Sequence, residues 1–115
     1  MLHLLLESTT AAKVNTMDLF SFVKQNVDIV NLISEYTSLK KTGDLYWKGK
    51  CPFHHEETGS FTVSPHRFIF YCFGCHATGD AISFIEKIEH SSEFEAAQFL
   101  IKRYQLQVPQ EIMQQ

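Results

Sequence analysis

The sequence predicts an α+β fold, a small antiparallel β-sheet of about four strands flanked by N- and C-terminal helices. Two observations carry that expectation. Apolar residues keep helical spacing over residues 17–36, alternate over residues 39–72, and return to helical spacing after residue 75. All three cysteines lie around the alternating part, as Cys51-x2-His54, seventeen intervening residues, and Cys72-x2-Cys75.

Residues 1–16 ("MLHLLLESTTAAKVNT") are rich in small residues and read as a leader or flexible extension ahead of a domain over residues 17–109. Their apolar run has no basic flank and is too short for a secretory leader. In "DLFSFVKQ", Leu19, Phe20, Phe22 and Val23 form the stripe of a first helix. Asp28 can cap a second, with Ile29, Val30, Leu32 and Ile33 on its inner side and Tyr36 at its end. The period then changes. "TSLKK" and "LYWKGK" are short alternating runs around a Thr-Gly-Asp turn, which is hairpin chemistry. Parity puts Leu45 and Trp47 on one side and Tyr46, Lys48 and Lys50 on the other. Two further strands are expected at residues 60–63 and 67–72, across the Ser-Pro-His turn. In the last, Phe68 and Phe70 share a face with Cys72 while Ile69 and Tyr71 take the other; with both faces apolar, it should be a central strand. Phe53, Phe61, Phe68, Phe70 and Phe73 read best as core that the helices cover. After the last cysteine, Ala81, Phe84, Ile85 and Ile88 follow the i, i+3, i+4, i+7 pattern behind Gly79-Asp80, which supplies a turn and N-cap. Ser92 and Glu95 form a capping box ahead of Ala96, Ala97, Leu100, Ile101 and Tyr104. Residues 110–115 read as a frayed tail.

With 115 residues, 44% hydrophobic and 20% charged, the chain is one globular domain of modest core, a size class that gains from a staple such as a metal. Net charge is −3, which by itself does not mark a nucleic-acid binder. The charge is uneven, however. Between residues 40 and 75 the cations Lys40, Lys41, Lys48, Lys50 and Arg67 outnumber Asp44, Glu56 and Glu57, so this stretch carries +2 and the rest −5. An odd cysteine count and the lack of a secretory leader argue against a disulfide framework and for a reducing, cytoplasmic setting. No run of about 18 apolar residues occurs, so no membrane partner is expected.

Zinc takes four thiolate or imidazole ligands in a tetrahedron, and an x2 spacing lets two ligands on one tight turn reach the same ion. Cys51, His54, Cys72 and Cys75 therefore make a zinc ribbon with one structural Zn2+, its coordination full and no position left for a catalytic water. His55 would have to break the x2 spacing to replace His54, and His76 adjoins a ligand; Cys72-x-x-Cys75 alone would also suit a redox dithiol. His3, His66 and His90 read as surface residues.

The stretch "CPFHHEETGSFTVSPHRFIFYCFGCHATGDAISFI" resembles the N-terminal zinc-binding domain, a CHC-type zinc finger, of DnaG-type bacterial DNA primases. The shared pattern is a CPFH knuckle, then Glu57-Thr58-Gly59-Ser60-Phe61 where the family usually has Pro in place of Gly59, a CFGC knuckle, and Gly79-Asp80 before a helix. The preceding "DIVNLISEYTSLKKTGDLYW" is similar as well, though Tyr46-Trp47 is more aromatic than usual, and the likeness spans about residues 17–109. The resemblance implies a non-enzymatic module that binds single-stranded template DNA and helps a primase catalytic domain, not contained in this sequence, to begin an RNA primer near the replicative helicase. The residues suit that role. Single-strand binders pair basic grooves with aromatic platforms, and Lys40, Lys41, Tyr46, Lys48, Lys50, Arg67 and Tyr71 are the candidates. A zinc-stapled protein–protein interaction module without DNA binding is the alternative, which the −3 net charge favours.

Overall fold

The change of apolar period after residue 36 is a change from helix to sheet in the computed structural model, which describes residues 17–54 and 60–113. Helix α1 (Leu19–Asn26) starts where the Asp18 carboxylate accepts from the Ser21 N–H, and α2 (Ile29–Ser34) where Asp28 accepts from Asn31. The strands β1 (Leu39–Thr42), β2 (Tyr46–Gly49), β3 (Phe61–Ser64), β4 (Ile69–Cys72) and β5 (Thr78–Gly79) follow, then α3 (Ala81–Glu89), α4 (Glu93–Tyr104) and α5 (Gln110–Met113). Asp80 caps α3, and Ser92 and Glu95 form the expected reciprocal box on α4.

The strands make one antiparallel sheet in the order β1-β2-β3-β4-β5, so the zinc-ribbon α+β class holds. β5 extends the four strands expected. It is two residues long, too short to show an alternating pattern, and Gly79 lies at φ 158° where a side chain would collide with Ser83. Gly43 turns the first hairpin at φ 69°.

One face of the sheet carries the core. Phe61, Val63, Phe70 and Cys72 point inward against Val23, Leu32, Ile33, Phe84, Ile85 and Leu100. Phe61 and Phe70 stack at 5.5 Å between ring centres, Phe84 stands edge-on to Phe70 at 5.7 Å, and Phe53 lies 5.3 Å from Phe84. Trp47 is half-buried at the margin of this core, as its parity indicates. Beyond it, Arg103 and Tyr104 of α4 both donate to the Glu35 carboxylate, at 2.6 Å from Nη2 and 2.6 Å from the phenol, clasping the end of α2.

Four expectations need correction. Leu45 shares parity with Trp47 but sits in the hairpin turn and is 49% exposed, because alternation ends where the strand does. Strand β4 begins at Ile69: Pro65–Arg67 forms a 3₁₀ turn and Phe68 takes a left-handed conformation, φ 60°, leaving it 39% exposed. Phe73 is 65% exposed, since the chain leaves the sheet at Cys72. Residues 110–113, read as part of a frayed tail, form α5 with Ile112 buried; a four-residue turn is too short to announce itself by period. Residues 1–16, and with them the proposed leader, lie outside the described residues. No helix among the described residues is long and apolar enough to cross a membrane.

Candidate metal centre and the outer face of the sheet

Sheet register brings the two knuckles together. Gly49 of β2 and Cys72 of β4 both pair with Phe61 of the strand between them, so Cys51, two residues past Gly49, and Cys75, three past Cys72, emerge at one end of the sheet. The second knuckle is closed by the His76 N–H donating to the Cys72 carbonyl at 2.8 Å and by the Cys72 N–H donating to Ala77 at 2.9 Å. His76 accepts the tight turn with φ 67°.

The ligand atoms of Cys51, His54, Cys72 and Cys75 all lie within 4.8 Å of one another. Cys51 and Cys75 Sγ are 3.8 Å apart, and two thiolates on a tetrahedral zinc with 2.3 Å bonds stand about 3.8 Å apart. The donor set and spacing therefore fit one zinc ion, held by two turns and closed to a fifth ligand. Backbone amides are aimed at the sulfurs: the Phe53 N–H reaches Cys51 Sγ at 3.4 Å and the Cys75 N–H reaches Cys72 Sγ at 3.5 Å. Burial pushes the Cys51 thiol up to about 12. Burial acts the same way on Cys72, but the Cys75 amide, the Ser60 hydroxyl and the Gly74 amide together hold its thiol below the ordinary value. Metal uptake must displace the Cys51 proton and so releases protons to solvent. His76 is engaged elsewhere, its Nδ1 3.0 Å from the Tyr71 hydroxyl. His55 lies outside the described residues.

The other candidates fall on the sheet's outer face, with one exception. Cross-strand pairing makes a single row of Lys40, Lys48, Thr62, Tyr71 and Thr78 running across all five strands. Tyr46 and Arg67 join Lys48 and Tyr71 around a groove of about 420 Å³ floored by Thr62 and Ser64. A second cleft, of about 590 Å³ beside β1, is lined by Lys40, Lys48 and Lys50. Lys41 pairs with Trp47 and so lies on the opposite, helix-bearing side, away from Lys40. Phe73 lines the groove too. Sequence reasoning missed it because Phe73 was grouped with the other phenylalanines as core for the helices to cover; the signal available was its place on a turn, with the parity of Ile69 and Tyr71 and not that of Phe70.

The family model of the CHC2 zinc finger matches residues 15–115. Over 82 residues the chain is 51% identical to the DNA primase of Aquifex aeolicus, covering 71% of this chain and 16% of that protein. It is 44% identical over 90 residues to the DNA primase of Halalkalibacterium halodurans, covering 78% and 15% respectively. The crystal structure of the Aquifex aeolicus primase, described as its zinc-binding and RNA polymerase domains, superposes with a TM-score of 0.73 at 44% identity, over 84% of this chain and 24% of that one. The chain thus spans about a sixth of the length of these two primases.

Proposed function

The chain belongs to the CHC2 zinc-finger family, as a zinc-binding domain of the DNA primase type, and from that premise we propose that it binds single-stranded template DNA across its outer sheet face. One observation supports this reading above the others. Lys40 and Lys48 are direct cross-strand partners, and like charges placed opposite each other destabilise a sheet unless something anionic lies between them. Lys50 and Arg67 extend the same charge along the two clefts, and among the described residues no carboxylate lines either one. A phosphodiester backbone matches such a surface, and Tyr46 and Tyr71 offer rings for its bases. Zinc, when bound, would hold the two knuckles at the sheet's end and supply rigidity, leaving binding to the side chains. The domain over residues 17–109 would thereby present template to a primase catalytic domain at the start of primer synthesis, in the bacterial cytoplasm and beside the replicative helicase. It would itself perform no catalytic step.

Zinc content and binding of fluorescent single-stranded oligonucleotides at two salt concentrations, measured on one sample, test the proposal. One zinc per chain with affinity that falls as salt rises supports it. One zinc with no binding favours a protein-docking module, to which exposed Phe94 and Phe99 of α4 would be available.

A further inference from the structure

The two clefts on the outer face share Lys48 but differ in chemistry. The cleft beside β1 offers Lys40, Lys48 and Lys50 with no aromatic side chain among its described lining, which suits phosphates alone. The groove toward β4 ends at a built aromatic corner. Tyr71 and Phe73 meet edge to face with ring centres 4.7 Å apart, and the Tyr71 hydroxyl is fixed by His76 Nδ1 at 3.0 Å. Phe73 is 65% exposed. An exposed Phe braced by a ring that is itself fixed is a poor way to bury apolar surface and a good way to hold a flat ring. At the floor of the same groove the Thr62 hydroxyl is shielded from solvent and has no hydrogen-bond partner among the described residues, a situation that costs about 1–3 kcal/mol unless a partner arrives.

We infer that Phe73, braced by Tyr71, which His76 holds in turn, is a stacking platform for one unstacked nucleobase of the bound strand, while Lys40 and Lys50 hold only its backbone. The strand then crosses the sheet perpendicular to the β-strands, from the lysine cleft over Lys48 into the aromatic groove above Thr62. This rests on the single-strand reading above and adds to it a residue, a division of labour and a direction.

The zinc-loaded chain is titrated with a labelled oligothymidylate and with an abasic-spacer strand of equal length. The unaltered chain should bind the abasic strand about tenfold more weakly, the scale of one stacked base. Phe73→Ala should lose about the same factor on oligothymidylate and cease to distinguish the two strands, with its salt slope and zinc content unchanged, and Phe73→Tyr should restore discrimination. Equal binding of both strands by the unaltered chain overturns the inference and leaves backbone binding standing, as does a zinc-loaded Phe73→Ala that still discriminates. Absence of binding to either strand removes the single-strand reading itself, and this one with it. The strand comparison is made on the unaltered chain, so equal binding overturns the inference even if the substitution disturbs the knuckle.

Discussion

The two faces of one five-stranded sheet have been built for different purposes, and adjacent residues on the same strand show it. On β4, Phe70 is wholly buried and stacked on Phe61, while Tyr71, one residue on, lies half-buried at the rim of an open groove. On β3, Val63 is buried in the core while Thr62 floors that groove. The inner face is apolar and closed by helices α1 to α4; the outer face gathers cations in positions where they repel each other. Stability should therefore be concentrated on one side and binding on the other, with the metal centre at the end where both faces meet.

That division can be broken most severely at the metal. Cys72→Ser removes a ligand that is also the last inward residue of β4, and should abolish tight zinc binding, a loss of order 10 kcal/mol in metal-linked folding energy. Metal analysis and a thermal melt check this; one retained zinc with an unchanged midpoint would show that the four ligands are wrongly assigned. Phe70→Ala attacks the inner face alone. It should cost about 3–5 kcal/mol in denaturant unfolding, while any zinc-loaded folded fraction keeps its oligonucleotide affinity. Lys48→Ala is the converse: stability should stay within about 0.5 kcal/mol, and the slope of log affinity against log salt should shrink by about 0.7, the share of one phosphate on a single strand. An unchanged slope would take Lys48 out of the binding face.

The smallest effect is expected where neither face is involved. The Glu35 carboxyl is held below its ordinary range by the Tyr104 hydroxyl and then by Arg103. Its contribution is present above the unfolded value near 4.5 and is lost as pH falls through the lower folded value. Since the group is largely exposed, Glu35→Gln should cost under about 1 kcal/mol near neutral pH. The variant should also lose less stability than the parent chain when acidified below about pH 4.5, which melts at two pH values would show.

The sequence was most readable where a rule is local. The capping Asp28 and Asp80, the Ser92–Glu95 box, the Thr-Gly-Asp hairpin and the x2 pairs depend on a few neighbouring residues and stand as expected. Strand parity worked within strands and failed one residue beyond them, at Leu45 and Phe68, where a turn resets the direction of the side chain, and Phe73 escaped the core because apolar character alone does not bury a turn residue. Lys40 and Lys41 were grouped by charge, although neighbours on a strand face opposite ways. The Glu35–Arg103–Tyr104 clasp joins residues 68 and 69 positions apart, and no local pattern announces such a meeting.

Phe53 sits in the first knuckle, between two ligands, yet its ring packs against Phe61, Phe70 and Phe84. A side chain that belongs at once to the ion's cage and to the hydrophobic interior leaves little room for an intermediate in which one is assembled and the other is not. Folding and metallation should therefore appear as a single cooperative transition, and a strong chelator should act on this domain as a denaturant does, loosening ring packing well away from the knuckles.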